Sequence, residues 1–184
     1  MSMKDFENPA WGSAESHEQR YSSAPMPVIS DKYSLRDRLD ILNLLSLYGH
    51  LFDGGYRTAW LETVFAPHVV WTLAPQPAVG RDTISVMRGR EEVKSWFTET
   101  PRAYLIYVEK QGLDQDGASV FHSVQDIGIT EQKPASASIV ANQFIGVRHP
   151  GLSPTFHHIA VVRIEGELEK NAAGHWQVVN WNIQ

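Results

Sequence analysis

The sequence predicts one α+β domain, in which N-terminal helices pack on one face of a strongly curved, mainly antiparallel sheet. Between Ser34 and Phe65, apolar residues recur at three- and four-residue steps, as on one face of a helix. From residue 103 the pattern changes to alternation in long runs with short turns between them, which is typical of antiparallel strands. Helices first and strands afterwards indicate an α+β fold. Helices on a curved sheet form a cone-shaped barrel, and its open mouth is where a small-molecule site is expected.

Composition limits the classes of function. The 184 residues carry a formal net charge of −5 without a basic stripe, which argues against nucleic-acid binding. There is no cysteine, which excludes disulfides, thiol nucleophiles and thiolate metal sites, and is typical of a reducing compartment. No apolar run approaches the ~20 residues of a membrane-spanning helix, and the N-terminus lacks a secretory pattern. We therefore expect a cytoplasmic protein that binds neither nucleic acid nor a membrane.

The folded domain is predicted to span residues 34–184. Residues 1–33 are polar, contain three prolines and show no sustained period, so we expect a flexible N-terminal extension there. The first helix starts after Ser34, whose side chain can cap it, with Asp37 in its first turn. Gly54-Gly55 ends this helix, because glycine accepts the left-handed geometry of a C-terminal cap.

Asp53 is the unusual residue of the first helix. It lies where the apolar face ends, and its charge is unfavourable there because the macrodipole at a helix C-terminus is already negative. Asp53 is therefore either a solvated terminal residue or a buried base. The small residues Gly49 and Ser46 precede it on the same face of the helix. They either leave room for a ligand or allow another element to pack closely.

The remaining elements follow from spacing and turn residues. Apolar spacing predicts a second helix over Arg57–Phe65, which ends at Pro67. The run Arg81–Met87 is either a short strand or a loop. A charged and aromatic helix is predicted over Arg90–Phe97, after Gly89. Strands are predicted over six runs: 68–73, 103–110, 119–130, 135–148, 156–170 and 175–183.

Histidine, aspartate and tyrosine are the side chains most suited to chemistry here. The eight histidines include no closely spaced helical pair, so we expect no metal site. The sequence has no glycine-rich phosphate loop, nucleophile elbow or dinucleotide fingerprint, so we expect no cofactor. Acid–base chemistry is the main option that is left. Four histidines are expected at the surface or at loop ends: His50, His68, His149 and His175.

The histidines on predicted strands are better placed for a site. Alternation along the strand at 119–130 places His122, Val124 and Asp126 on one face. The neighbours His157 and His158 begin another strand, and only one of them can face inward.

Several segments resemble the SnoaL-like branch of the nuclear-transport-factor-2-like superfamily. LYGHLFDGG at 47–55 is similar to the family's first helix with its tyrosine and aspartate, and WLETVFAPHVVW at 60–71 to the segment that enters the first strand. GREEV at 89–93, FHSV at 121–124 and GHWQV at 174–178 are similar to the start of the third helix, the strand histidine and the closing strand. The segments occur in the family's order and span most of the predicted domain.

The resemblance implies a cofactor-free pocket and the chemistry of a lyase or isomerase, of the dehydratase or cyclase type, on a small apolar metabolite. In dehydratase and dehydrochlorinase members an aspartate on the first helix orients a strand histidine as general base. By position these are Asp53 and His122. Tyr48 matches a helix tyrosine that polarises or protonates an oxygen, and we assign His158 the same role.

Five residues are predicted to contact the substrate: Trp71, Phe52, Asn142, His157 and Phe144. For Trp71 the alternative is a place in the core, the commoner position of tryptophan. Two other functions stay open, namely a non-catalytic small-molecule-binding module and an accessory subunit like the small subunit of a ring-hydroxylating dioxygenase. Family members form dimers or trimers through the outer sheet face, so the resemblance implies a homodimer or homotrimer.

Overall fold

A computed structural model of the chain describes residues 34–53, 60–77, 80–100, 102–152 and 156–184, with all their side chains except those of Phe52, Phe156 and His158. The predicted N-terminal extension and the predicted glycine stop at 54–55 lie outside the described residues. The elements that the structure describes are α1 (Leu35–Phe52), α2 (Leu61–Val64), β1 (Phe65–Leu73), β2 (Ser85–Arg88), α3 (Arg90–Glu99), α4 (Ala103–Lys110), β3 (Ser119–Gln132), β4 (Ser136–Arg148), β5 (Phe156–Lys170) and β6 (Trp176–Ile183).

The six described strands form one sheet in the order β2-β1-β6-β5-β4-β3. Strands β3 to β6 form an antiparallel meander, as their alternation and short turns predict. Strand β1 lies parallel to β6 and antiparallel to β2. The run at 81–87, for which the sequence allowed a strand or a loop, therefore forms a strand from Ser85 onwards. The curved, mostly antiparallel sheet with its N-terminal helices confirms the predicted α+β architecture. No helix in the described part of the chain is long and apolar enough to cross a membrane.

Local signals explain where the helices begin and end. The side chain of Ser34 accepts a hydrogen bond from the backbone N–H of Asp37 at 3.4 Å, which confirms the predicted cap of α1. Gly89 precedes α3 with a φ of 86°, a backbone conformation that favours glycine. Helix α2 ends earlier than predicted, because β1 already begins at Phe65, which is buried and pairs with Val178 of β6.

The prediction of a strand over residues 103–110 is wrong, because this run forms helix α4. Tyr104 and Val108 lie one helical turn apart, are both buried, and pack in one cluster with Val120 and Val147 of the sheet. A short apolar run does not distinguish a buried helix from a strand, and β propensity depends strongly on the surroundings. The contacts with the sheet therefore decide the conformation here.

A β-bulge in β3 changes which side chains face the core. The pairing with β4 shifts between Gln125 and Gly128, and Asp126 adopts a φ of 51°. Aspartate tolerates this left-handed conformation better than most residues do. The bulge adds one residue, so that Ile127 packs on the core and Asp126 is exposed. The prediction that Asp126 shares a face with His122 and Val124 is therefore wrong, and Ile127 takes that place.

Helix α1 approaches the backbone of β3 closely at Gly49. A Cβ atom added to Gly49 would lie 3.0 Å from the backbone carbonyl oxygen of His122. Of the two explanations for the small residues on this helix, close packing is therefore the one that applies at Gly49, and Ser46 is exposed. The absence of a side chain at Gly49 sets the distance between α1 and β3.

Asp37 connects the first turn of α1 to the sheet where β5 ends and β6 begins. Its Oδ1 accepts hydrogen bonds from Lys170 Nζ at 2.7 Å and from Trp176 Nε1 at 3.2 Å. The hydrogen bond from Lys170 is the main cause that holds the pKa of the Asp37 carboxyl below its ordinary value of 3.8, against the opposing effect of desolvation. The lowered pKa means that the folded state favours the ionised carboxylate.

Replacing Gly49 with alanine is expected to destabilise the fold. Alanine favours a helix over glycine by up to ~1 kcal/mol, but the added methyl group presses on a backbone carbonyl, and overpacking costs about 1–3 kcal/mol. We expect a net loss of about 1 kcal/mol in the free energy of unfolding, measured by denaturant titration. Ser46→Ala on the exposed side of the same helix is the control and should cause no loss. A Gly49→Ala variant at least as stable as the parent would show that this contact is not tight.

Asp37→Asn is expected to lower stability at neutral pH by about 1 kcal/mol, because it removes a charge-assisted hydrogen bond. Since the folded pKa of Asp37 is lowered, its contribution is present above the unfolded pKa and is lost as the pH falls towards the folded pKa. The parent should therefore lose more stability between about pH 5 and pH 3 than the variant does. Asp40→Asn, an exposed change on the same helix, serves as the control. Parallel acid profiles for parent and Asp37→Asn would contradict this account.

Candidate active site

A cavity of about 320 Å³ lies between the helices and the sheet. This volume falls in the range of small-molecule sites, about 300–1,000 Å³. Helices α1, α3 and α4, the connection between β1 and β2, and every strand except β2 contribute to its wall. The wall is largely apolar and aromatic, and nine of its nineteen described side chains carry a polar atom: Tyr48, Trp71, Gln76, Arg81, Trp96, Tyr104, Tyr107, His122 and Gln143.

The structure brings Asp53 and His122 together at the edge of this cavity. Oδ1 of Asp53 accepts the backbone N–H of His122 at 2.9 Å and lies 3.3 Å from the ring Nδ1. The His122 ring lines the cavity, and only 9% of its side chain is exposed, against 26% for Asp53. With Nδ1–H donated to the carboxylate, Nε2 is the ring nitrogen that carries the lone pair.

His50 also contacts Asp53, on the solvent side. Its Nδ1 lies 3.3 Å from Oδ2 of Asp53, and 61% of its side chain is exposed. His50 is therefore at the surface, as predicted, but it contacts a candidate site residue one helical turn away. The spacing of His50 and Asp53 on α1 was a signal for this contact, because residues three apart on a helix are neighbours.

Tyr48 lies near the C-terminal end of α1 and extends into the core beside the cavity. Its ring packs against Trp181 at 4.7 Å and Phe65 at 6.1 Å between centroids. Burial raises the pKa of the Tyr48 phenol well above its ordinary value, and the indole groups of Trp181 and Trp71, which lower it, do not offset burial. Tyr48 is therefore a neutral phenol at physiological pH.

For Trp71 the sequence allowed a place in the core or a place at the substrate site, and the structure puts its side chain both in the core and in the cavity wall. It is 1% exposed and belongs to the core, yet it also lines the cavity. Its ring stacks on Phe97 with centroids 5.4 Å apart and an interplanar angle of 11°. Trp96 meets it edge-on at 4.8 Å. Trp71 and Trp96 contribute apolar aromatic surface to the cavity wall, whereas Phe97 supports Trp71 and does not line the cavity.

The polar residue of β4 that lines the cavity is Gln143, which sequence reasoning did not select. It is 2% exposed, and its Nε2 finds no hydrogen-bond partner among the residues that the structure describes. The signal was present, since Ala137, Ile139, Ala141 and Gln143 alternate as the buried face of this strand.

Asn142 and Phe144 lie on the opposite face of β4, so their prediction as substrate-binding residues is corrected. Asn142 donates from Nδ2 to Oδ2 of Asp126, at the bulge of β3, at 3.0 Å. Neither Asn142 nor Phe144 lines the cavity, whereas Gln143 and Ile145 do. Adjacent strand residues point to opposite faces, and the choice between the two sets needs the inner face to be known.

His157 reaches the cavity only through a neighbour. Its Nδ1 lies 2.8 Å from the hydroxyl of Tyr107, and the Tyr107 side chain lines the cavity while His157 does not. His157 is therefore placed to position Tyr107 and is not in the wall itself. The side chains of His158 and Phe52 lie outside the described residues, so the roles predicted for them remain predictions.

The described residues contain no group of three or more histidine, cysteine, aspartate or glutamate side chains that could hold a metal ion. The pair of Asp53 and His122, with His50 beside it, has one carboxylate between two imidazoles. This arrangement suits the orientation of a histidine by a carboxylate and the transfer of a proton at the other ring nitrogen.

Comparison with known proteins agrees with this fold. The model of the SnoaL-like domain family matches residues 33–182. No curated protein matches the chain. Aln2 from a Streptomyces species aligns with a TM-score of 0.60 at 14% identity, over 83% of this chain and 92% of that one. An NTF2-like protein with a cystatin-like fold from Novosphingobium aromaticivorans aligns with a TM-score of 0.60 at 16% identity, over 94% and 89%.

A third solved structure is the beta subunit of the benzoate 1,2-dioxygenase from Burkholderia mallei, with a TM-score of 0.58 at 10% identity, over 84% of this chain and 91% of that one. At such identities the three structures share the fold with this chain, and the likeness says nothing about activity. The match of the family model covers most of the sequence and agrees with the observed architecture. The chain therefore belongs to the SnoaL-like domain family.

Proposed function

We propose that this protein is a cofactor-independent lyase or isomerase, of the dehydratase or cyclase type, that acts on a small apolar metabolite in the cavity. One observation carries the proposal. The ring of His122 lines an apolar cavity while its Nδ1 lies 3.3 Å from the Asp53 carboxylate. A histidine that contacts a carboxylate on one side and a cavity on the other is suited to general acid–base catalysis.

In the proposed mechanism His122 is the general base and Asp53 its positioning partner. Asp53 accepts a hydrogen bond from the Nδ1–H of His122, and the lone pair is then on Nε2. Nε2 then removes a proton from a carbon next to a substrate carbonyl. In a dehydration the resulting imidazolium returns that proton to the departing hydroxyl group, which leaves as water. In an isomerisation the proton returns to a different carbon.

The substrate oxygen that gains charge needs hydrogen-bond donors that are already in place. Tyr48 supplies a neutral phenol at the wall, since burial raises its pKa. Gln143 supplies a buried amide N–H without a described partner. His122 pairs with Ile145 across β3 and β4, so Gln143 lies diagonally from His122 on the same face. Diagonal neighbours are about 7–8 Å apart, which leaves room for a carbonyl group between the base and the donor.

A second candidate function is that of an accessory subunit. The likeness of fold to the beta subunit of benzoate 1,2-dioxygenase favours it. An accessory subunit would bind another protein chain and would not need an acid–base pair at a cavity.

If the protein is the proposed enzyme, we predict that it forms a homodimer or homotrimer. Light scattering of the purified protein gives the number of subunits.

Replacing the proposed base is expected to abolish proton transfer. We expect the parent to exchange the protons next to the carbonyl of an apolar ketone such as 1-tetralone with solvent deuterium, measured by NMR in D₂O. β-Hydroxy ketones tested in parallel should lose water, detected by mass spectrometry. His122→Gln should lower either rate by about 10²–10⁴-fold. Asp53→Asn should also lower it, by about 10²-fold or more, because it favours the wrong tautomer of His122.

His175→Gln is the matched control for this experiment, since His175 is exposed and does not line the cavity. It should keep the parent rate. Parent-like rates for both His122→Gln and Asp53→Asn would contradict the proposal. The absence of exchange and water loss by the parent, together with constant co-purification of a partner chain, would favour the accessory subunit.

The raised pKa of Tyr48 predicts an alkaline loss of stability. Below its ordinary value of 10.0 the phenol is protonated in both the folded and the unfolded chain, so its contribution is constant. Above that value the unfolded chain loses the proton first, so stability is lost as the pH rises towards the folded pKa. Between about pH 10 and pH 11.5 the parent should lose up to about 1.4 kcal/mol per pH unit more than Tyr48→Phe. Equal slopes in denaturant titrations would show that Tyr48 is not a buried neutral phenol.

A further inference from the structure

We infer that the substrate is a β-hydroxy carbonyl compound whose hydroxyl group is bound by Tyr107, with His157 as the positioning residue. This rests on the proposed function and deepens it, because it selects dehydration over isomerisation and assigns the residue that holds the departing group. Tyr107 lies on α4, and its side chain lines the cavity.

Tyr107 and His157 form a second polar pair beside the cavity. The hydroxyl of Tyr107 lies 2.8 Å from Nδ1 of His157, and the two rings meet nearly edge-on with centroids 6.2 Å apart. Both side chains are partly buried, and His157 lies behind Tyr107, outside the cavity wall. This hydrogen bond uses one of the hydrogen-bonding functions of the hydroxyl group and leaves the other for a ligand in the cavity.

The chemistry of this hydrogen bond favours a ligand hydroxyl group. A histidine Nδ1 is a donor or an acceptor according to its tautomer. If Tyr107 donates to Nδ1, its oxygen offers the cavity an acceptor, whereas if Nδ1 donates, the hydroxyl offers the cavity a donor. A ligand hydroxyl group pairs with either arrangement, because it both donates and accepts, and a carbonyl oxygen pairs only with the second. Tyr107 is therefore matched better to a hydroxyl group than to a carbonyl.

Strand pairing places the pair of Tyr107 and His157 on one side of His122. His157 of β5 pairs with Val147 of β4, and Val147 pairs with Val120 of β3. Val120 precedes His122 by two residues, about 7 Å along the strand, and both line the cavity. The hydroxyl of Tyr107 therefore lies beside the row of the sheet that precedes His122 on the inner face.

Gln143 lies on the other side of His122. It pairs with Val124, which follows His122 by two residues on β3. Its buried Nε2 has no hydrogen-bond partner among the described residues and suits a carbonyl oxygen. The order along the sheet is therefore a carbonyl site at Gln143, the base His122 and a hydroxyl site at Tyr107. A β-hydroxy carbonyl compound has the same order, because the carbon that loses a proton lies between the carbonyl carbon and the carbon that bears the hydroxyl group.

In this dehydration Tyr107 holds the departing group and is itself unchanged. Nε2 of His122 takes the proton from the carbon between the two oxygen-bearing carbons, and the carbonyl oxygen gains charge. The carbonyl then re-forms, a carbon–carbon double bond forms, and the carbon–oxygen bond breaks with its electron pair on the hydroxyl oxygen. The imidazolium of His122 returns the proton to this oxygen, and water departs.

The experiment uses two probes that differ in the hydroxyl group, 1-tetralone and 3-hydroxy-1-tetralone. Exchange of the C2 protons of 1-tetralone in D₂O, followed by NMR, reports on the base alone. Loss of water from 3-hydroxy-1-tetralone, which yields 1-naphthol, reports on the base and the hydroxyl site together. Tyr107→Phe should keep the parent rate of exchange. It should lower the rate of water loss roughly tenfold or more, because a hydrogen bond and the orientation of the departing group are lost.

Replacements of His157 separate positioning from a general structural effect. His157→Asn keeps a polar atom near the position of Nδ1 and should keep most of the water loss, whereas His157→Leu should lower it as Tyr107→Phe does. Both should keep the exchange of 1-tetralone, because His122 is untouched. His175→Gln, an exposed change away from the cavity, is the control and should keep both rates.

Binding without turnover distinguishes a failure of this inference from a failure of the proposed function. In His122→Gln, isothermal titration calorimetry should show that 3-hydroxy-1-tetralone binds about three- to tenfold more tightly than 1-tetralone. Adding Tyr107→Phe should remove this preference. A preference that depends on Tyr107, in a protein whose parent form shows no exchange, would retain the hydroxyl site and reject the acid–base function.

Three results would overturn the assignment of Tyr107. The first is equal binding of the two probes by His122→Gln, or binding of neither. The second is a Tyr107→Phe variant that folds and keeps the parent rate of water loss. The third is a Tyr107→Phe variant in which exchange falls as much as water loss does. If Tyr107→Phe does not fold, the contrast between His157→Leu and His157→Asn and the preference in His122→Gln decide the question.

Discussion

The contact between Asp53 and His122 is the interaction on which the arrangement of the site depends. A carboxylate at the C-terminal end of a helix is unfavourable unless it is compensated, because the end of the helix already carries negative partial charge. Here the compensation comes from outside the helix. The backbone N–H and the ring of His122 approach one oxygen of Asp53, and the ring of His50 approaches the other. The unfavourable position of Asp53 is thereby explained, and a carboxylate beside Nδ1 favours the tautomer of His122 that is protonated there.

One helix supplies most of what this contact requires. Gly49 lets α1 approach the backbone of β3 at His122, and Asp53 ends the helix close to that point. Tyr48, next to Gly49 in the chain, extends to the cavity wall. Asp37 connects the other end of α1 to Lys170 at the end of β5. Packing, capping and the proposed chemistry therefore act through the same element.

The sequence predicted the fold because the patterns of its helices and strands are local, and the family resemblance implied the pair of Asp53 and His122. The apolar face of α1 and the unfavourable charge of Asp53 are visible in one stretch of chain. The long alternating runs, together with the resemblance, pointed to His122. The failures came where tertiary contacts decide the outcome. The sequence of helix α4 predicts a strand, because its packing on Val120 and Val147 is not visible in the local pattern.

The choice between the two faces of a strand also depended on information that the sequence does not hold. The bulge at Asp126 shifts the alternation of β3, and Asn142 pairs with Asp126 on the outer face. Gln143 therefore lies in the cavity wall in place of its neighbours. Arg81 was likewise not selected, because its position at the cavity depends on the connection between β1 and β2 returning to Trp96. Long-range contacts of this kind leave no periodic pattern in the residues themselves.

The most direct measurement of the central claim is the tautomer of His122, observed by long-range ¹H–¹⁵N NMR of histidine-labelled protein at neutral pH. The account predicts that Nδ1 carries the proton, through its contact with the Asp53 carboxylate, and that Nε2 is unprotonated. It also predicts that Asp53→Asn changes this pattern, while His175→Gln does not. A His122 ring protonated at Nε2, or one whose signals are unaffected by the change at Asp53, would contradict the account.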